Sequence, residues 1–196
     1  LPSWLGDSVM LTPSIENLIN FYDFPDITLI GPSISVDVLK YHPSVVESYV
    51  INKNYLSLYK LSQKIGKYDA FFSFRSSFRS RIFKFCISSE NKFQFNKNKY
   101  QGSHQVQQYS NFLSDSLEIS LVPKKLVIHS SLKTNFKNSK LQLGINPGAS
   151  YGDAKRWYPE QFANVAAKLS DKYDILIFGG PNEKNIADDI ENFLIE

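Results

Sequence analysis

The chain has 196 residues, 42% of them hydrophobic and 21% charged, with a mean hydropathy of −0.26. That is enough to bury one good core or two small ones. No apolar run approaches the roughly 20 residues of a membrane-spanning helix, and a single cysteine, Cys86, leaves no internal disulfide, which fits a reducing cytoplasm.

The net charge of +3 conceals an asymmetry: residues 60–100 hold ten basic side chains against Asp69 and Glu90, a balance of +8, so the remainder carries −5. A basic segment in a near-neutral protein points to an anionic partner: a nucleic acid, a phosphorylated sugar or a membrane surface. A solvated lysine-rich face accounts for the lysines, less well for Arg75, Arg79 and Arg81.

The chain opens on Leu1-Pro2-Ser3-Trp4-Leu5-Gly6-Asp7, which has neither the basic start nor the apolar centre of a signal peptide. An apolar strand is expected before such a loop in an α/β domain. Residues 8–22 are predicted helical, with Leu11, Ile15, Leu18, Ile19 and Tyr22 on one face and Pro13 expected to kink the helix or delay its start. Strands over 27–31, 45–51 and 68–74 then alternate with helices over 33–40 and 55–65, the rhythm of βαβ units in a parallel sheet. Ligands bind beyond the carboxyl ends of such strands, where Asp7 and the run 75–81 belong.

Residues 88–103 are polar and rich in Asn and Lys, and read as a loop. A helix over 104–116 follows, with Val106, Tyr109, Phe112 and Leu113 on its buried side. Residues 121–138 look like an interdomain linker, so the chain divides into a domain over 1–120, a linker over 121–140 and a second α/β domain over 141–196. The second domain has a strand at 141–146, a helix at 159–171, a strand at 174–179 and a helix at 182–194. One and a half βαβ units do not close a sheet, so this domain is expected to be incomplete.

The stretch 141–157 carries the chemistry. Leu141, Leu143 and Ile145 form an apolar strand; Gly148, Ala149, Ser150 and Gly152 keep side chains clear so that backbone N–H groups can approach a phosphate. Lys155 and Arg156 add full positive charge, and Pro159-Glu160 opens a helix whose positive dipole end faces the same spot. Ordinary turn chemistry followed by a solvated Lys-Arg pair is the competing account.

The pattern is more specific than the composition. Pro147-Gly148-Ala149-Ser150-Tyr151-Gly152-Asp153-Ala154-Lys155-Arg156-Trp157 resembles the P-G-A-x-[FY]-G-x-A-K-R-W signature of the ADP-heptose:lipopolysaccharide heptosyltransferases, glycosyltransferase family 9. Within that family it is most similar to the enzymes that add the second heptose. The opening resembles the family's L-P-x-W-x-G-D start. The resemblance implies a GT-B architecture, two Rossmann-like domains with the acceptor held mainly by the first and the nucleotide sugar by the second.

By the same resemblance, the reaction is an inverting, metal-independent transfer of heptose from ADP-heptose to the first heptose of the lipopolysaccharide inner core, on heptosylated Kdo-lipid A. It takes place at the cytoplasmic face of the inner membrane, with peripheral contact to that surface and no nucleic acid. Asp7 matches the general base, with a helix N-cap as the alternative. Lys155, with Arg156, stabilises the departing ADP; a structural ion pair is the alternative for Arg156. Gly148, Ala149 and Ser150 line the donor loop. Glu183 falls near the ribose hydroxyls, with a capping-box role equally open.

Arg75, Ser77, Arg79 and His104 match the acceptor side, where arginine pairs bind carboxylates and phosphates; a buried, hydrogen-bonded histidine is the alternative for His104. No cofactor beyond the donor and no metal are expected, since no Asp-x-Asp occurs. The family's later Asp-[Ser/Thr]-Gly-x-x-His segment has no counterpart here, so these residues are expected to be a portion of a longer enzyme, inactive as written. Two other readings remain: a relative adding the first heptose or another sugar, and a non-catalytic anion or nucleic-acid binder using the +8 segment.

Overall fold

A proline lies in the middle of the first helix, and the helix runs through it. Helix α1 (Leu5–Phe21) contains Pro13, which has no N–H to offer the Val9 carbonyl one turn earlier. Thr12 Oγ1 donates to that carbonyl instead, at 2.8 Å, so the orphaned acceptor is satisfied locally. The expected late start is therefore not observed. The helix begins at Leu5 with Trp4 as N-cap, which makes Asp7 its third residue and not its cap.

The computed structural model describes residues 1–51, 54–131, 140–149 and 153–195. They fall into two units, Leu1–Lys133 and Thr134–Glu196. In the first, α1 is followed by β1 (Ile27–Gly31), α2 (Ser33–Leu39), β2 (Val45–Val50), α3 (Tyr55–Lys64), β3 (Tyr68–Ser73), α4 (Phe78–Cys86), β4 (Ser89–Gln94) and α5 (Gln105–Leu117). β1 pairs with β2 and β3 with β4, both parallel. Strand β4 corrects the first part of the loop expected over 88–103, while residues 95–103 have neither helix nor strand. Its Lys, Asn and Glu residues mask a short alternation, Phe93 and Phe95, whose rings reach the core.

That core joins Leu11, Ile15 and Ile19 of α1 to Tyr109, Phe112 and Leu113 of α5, with Leu29, Phe74 and Phe95. Each such side chain contributes roughly 1.5–3 kcal/mol of burial. The aromatic members meet edge to face: Phe74 lies 5.5 Å from Tyr109 and 5.4 Å from Phe112, and Phe95 lies 5.2 Å from Tyr109. Residues 121–131 have no regular secondary structure and are strapped to this unit. Asn17 Nδ2 donates to the Val122 carbonyl at 3.1 Å, Ser110 Oγ to the Leu121 carbonyl at 3.2 Å, and the Val127 N–H to Thr12 Oγ1 at 3.1 Å.

An apolar slot of about 230 Å³ runs between the two sheets. Ile27, Thr28, Leu29 and Ile30 of β1 line it together with all of β3, from Tyr68 to Ser73. Consecutive residues from both faces of a strand border a space only when the strand presents its edge. Among the described residues, neither of these edges has a strand partner. At one end Leu1 closes the slot, its amino nitrogen donating to the Ile30 carbonyl at 2.7 Å.

The second unit has β5 (Leu141–Ile145), a 3-10 turn (Asp153–Lys155), α6 (Pro159–Leu169), β6 (Tyr173–Ile177), a second 3-10 turn (Pro181–Glu183) and α7 (Lys184–Ile195). β5 and β6 pair in parallel, Ile145 opposite Ile177. Ala163 and Ala166 of α6 and Ile190 of α7 are buried where the two helices meet.

Candidate active site

The turn after β3 is built by small polar side chains. Ser77 caps α4, its Oγ accepting from the Ser80 N–H at 3.3 Å. Ser80 Oγ donates to the Ser77 carbonyl at 2.6 Å and lies 3.1 Å from the Arg75 carbonyl. Gln94, at the end of β4 opposite Ser73, completes the network: its Nε2 donates to the Arg75 carbonyl and lies 3.2 Å from both Ser73 Oγ and Ser80 Oγ. Gln94 was missed by the sequence reading because β4 was. The signal was the Phe93-Gln94-Phe95 alternation.

This turn brings Arg75 and Arg79 together at the mouth of the slot. Burial, and then the positive charge of Arg79, hold the Arg75 guanidinium below the usual arginine range. Two like charges fixed near each other and partly desolvated favour an anion between them. Ser77, placed on the acceptor side by its motif, is committed to the cap through its Oγ.

Asp7 lies in the first turn of α1, half-buried. Among the described residues its carboxylate makes no hydrogen bond or ion pair. Helix α1 packs on α5, and the Tyr109 phenol of α5 is pushed well above its usual range, chiefly by burial and then by the charge of Asp7. His104 caps the same α5, its Nδ1 accepting from the Val106 N–H at 3.4 Å. It is exposed, which corrects the buried histidine held open above: a cap residue sits at the helix mouth, not under it. One helix thus carries the residue that senses Asp7 and the residue expected to touch acceptor.

In the second unit, β5 delivers Pro147 and Gly148 directly after Asn146. Arg156 Nη2 donates to the Ala149 carbonyl at 2.9 Å, so this guanidinium holds the loop's own backbone. Lys155 ends the 3-10 turn, exposed, with no hydrogen bond or ion pair among the described residues. Trp157 packs edge to face on Phe162 of α6, 5.2 Å between centroids. Ser150, expected in the cradle, lies outside the described residues, as do Tyr151 and Gly152.

Glu183 takes the capping-box role, its Oε2 accepting from the Gly180 N–H at 2.7 Å. Its carboxylate also rests against Gly148, so that a Cβ there would collide with it. Absence of a side chain at 148 is what lets the acid reach the loop. The fold brings Gly148, Ala149, Lys155, Arg156 and Glu183 together around one turn.

The described residues also gather Glu16, His42 and His129, whose ligand-capable atoms lie within 4.8 Å of one another. Sequence spacing gave no sign of it. The Ser44 N–H donates to His42 Nδ1 at 3.1 Å, which leaves the Nε2 proton facing Glu16 at 2.9 Å. The trio ties α1, the turn before β2 and the 121–131 strap together.

Parallel strands crossed by helices, two such units in one chain, and a glycine-led loop ending in cations after the first strand of the second unit define an α/β protein of the GT-B type. The family model for glycosyltransferase family 9 (heptosyltransferase) matches residues 59–194. The chain belongs to that family. It is 38% identical over 205 residues to lipooligosaccharide heptosyltransferase 2 of Campylobacter jejuni subsp. jejuni serotype O:2, with all of this chain and 63% of that protein covered. The serotype O:6 protein of the same name is 37% identical, with 64% of it covered. The chain therefore spans just under two thirds of these relatives.

Among solved structures, the glycosyl transferase family 9 protein from Veillonella parvula DSM 2008 superposes with a TM-score of 0.80 at 20% identity, over 97% of this chain and 64% of that one. The E. coli ADP-heptose lps heptosyltransferase II gives 0.73 at 20% identity, over 96% and 66%. E. coli heptosyltransferase WaaC with ADP-2-deoxy-2-fluoro heptose gives 0.71 at 13% identity, over 96% and 70%. These three likenesses concern the fold.

Proposed function

We propose that the complete protein transfers heptose from ADP-heptose to the first heptose of a lipopolysaccharide inner core, with inversion and without a metal, at the cytoplasmic face of the inner membrane. The observation that carries this is the loop after β5: Arg156 fixes its backbone at Ala149 while Lys155, the next residue back, keeps its ammonium unpaired among the described residues. A leaving diphosphate needs that combination of a held backbone at Ala149 and an uncommitted cation. The names of the relatives, heptosyltransferase 2, favour the second heptose over the first.

In this reading the acceptor hydroxyl oxygen bonds to the anomeric carbon from the face opposite the diphosphate. The bond from that carbon to the diphosphate oxygen breaks, its electron pair leaving with ADP, and the hydroxyl proton passes to the Asp7 carboxylate. Lys155 neutralises the charge growing on ADP. Glu183, a negative charge against Gly148, repels a diphosphate, so the ribose hydroxyls belong at its end of the loop and the phosphates at the Lys155 end. Arg75 and Arg79 hold anionic groups of the acceptor, and His104 also touches it.

The test is ADP release by the complete protein with heptosylated acceptor, with and without a chelator. Turnover that survives chelation, and falls by on the order of 10²–10⁴ in Asp7→Asn, supports the reading. Chelator-sensitive turnover sinks the metal-free mechanism, and full turnover in Asp7→Asn sinks the base.

A further inference from the structure

Helices α3 and α4 lie side by side over one cluster, formed by Leu58, Ile65, Phe83 and Ile87. Their opposite faces carry large apolar side chains among the charged ones, where water-facing helix surfaces are normally polar. On α3, Leu56 is 68% and Tyr59 56% exposed; on α4, Phe78 is 71% and Phe85 87% exposed. Within each helix these positions recur at helical spacing, so each forms a stripe and not a scatter.

Cations share these faces, Arg81 between Phe78 and Phe85 and Lys60 one turn on from Leu56. Lys60, Lys64 and Arg81 are exposed and Lys84 is half-buried. From residue 54 to residue 89 there are seven Lys and Arg side chains and one acid, Asp69. Aromatic and leucine side chains mixed with cations suit the boundary layer of a bilayer, where rings settle among headgroups, lysine stems stretch toward water and phosphates meet the charge. A nucleic acid accounts for the cations but leaves Phe85 and Leu56 in water. An acidic protein partner accounts for both only with an apolar patch of its own.

We propose that the outer face of α3 and α4 rests on an anionic lipid surface, with Leu56, Tyr59, Phe78 and Phe85 entering the headgroup layer and Lys60, Lys64, Arg81 and Lys84 meeting lipid phosphates. Helix α4 starts at the Ser77 cap, so the Arg75–Arg79 turn lies at one end of this face. An acceptor anchored in the same bilayer is then met edge-on; that last point rests on the proposed transferase reading, whereas the docking face does not.

The experiment is sedimentation of the complete protein with phosphatidylethanolamine vesicles, with and without phosphatidylglycerol. The expected result is binding that requires phosphatidylglycerol, weakens with salt, and falls about tenfold or more in the double variant Leu56→Ser, Phe85→Ser. Both replaced side chains are largely in water, and circular dichroism checks that the fold is kept. Lys60→Glu with Lys84→Glu removes the phosphatidylglycerol preference. Transfer to a water-soluble, delipidated acceptor stays at the starting level in the Leu56, Phe85 variant.

Equal vesicle binding by wild type and double variant overturns the proposal, as does equal binding to vesicles lacking phosphatidylglycerol. Transfer to the soluble acceptor without any vesicle binding sinks the docking face alone. Vesicle binding as expected with no transfer to any acceptor sinks the transferase reading and leaves the docking face standing.

Discussion

The turn after β3 and the loop after β5 both end a parallel strand and both present two cations, yet they hold those cations in opposite ways. After β3, neutral side chains do the holding: Ser77, Ser80 and Gln94 take up the backbone groups. Arg75 and Arg79 sit close together at this turn, and Arg75 is held below its ordinary range. After β5, one cation holds the loop and the other does not: Arg156 binds Ala149 while Lys155 reaches into solvent. A close pair is suited to a ground-state anion that is always charged. A lone, movable ammonium is suited to charge that appears only as a bond breaks.

That contrast can be broken at four points. Lys155→Ala carries the largest expected effect, a fall in kcat of on the order of 10²–10³ with no change in melting temperature, since nothing described in the fold leans on the side chain. An unchanged kcat removes the distinction between the loops. Arg156→Ala comes next: losing a charged hydrogen bond of roughly 1.5–3 kcal/mol loosens the cradle and raises the donor KM by about tenfold or more. A larger loss in kcat than in KM there makes Arg156 a partner of the leaving group and not of the loop.

Gln94→Leu tests the other side. Its expected cost is about 1 kcal/mol of stability, seen as a lower denaturation midpoint together with a higher acceptor KM and an unchanged donor KM. The smallest effect is spectroscopic. Asp7→Asn removes a negative charge beside Tyr109, so its phenol titrates at lower pH while burial still keeps it above the ordinary range. No shift in the ultraviolet titration separates Asp7 from α5.

The βαβ order and the strand that leads into Pro147-Gly148 could be read from residues because each rests on a local signal: alternating apolar runs and a proline-glycine turn. Strand β4 could not, because its pairing with β3 is what makes a polar hexapeptide a strand. The start of α1 was misjudged for a related reason: the penalty at Pro13 is a backbone rule, and its relief by Thr12 is a side-chain accident of the neighbouring position. Asp7 was weighed as a cap because acids favour that place, whereas Trp4 occupies it. The sequence sets Lys155 ahead of Arg156 as the partner of ADP and holds a structural ion pair equally open for Arg156; the bond of Arg156 to the Ala149 carbonyl is visible only in the fold.

The slot between β1 and β3 bears on how this stretch of polypeptide behaves in a tube. Two strand edges that have no strand partner among the described residues, facing oily walls, form a template that welcomes an extended, greasy segment, including one from a neighbouring molecule. Handled by itself at high concentration, the 196-residue polypeptide is expected to cluster through that gap. A dye that reports cross-strand stacking will then brighten before any loss of helix is seen.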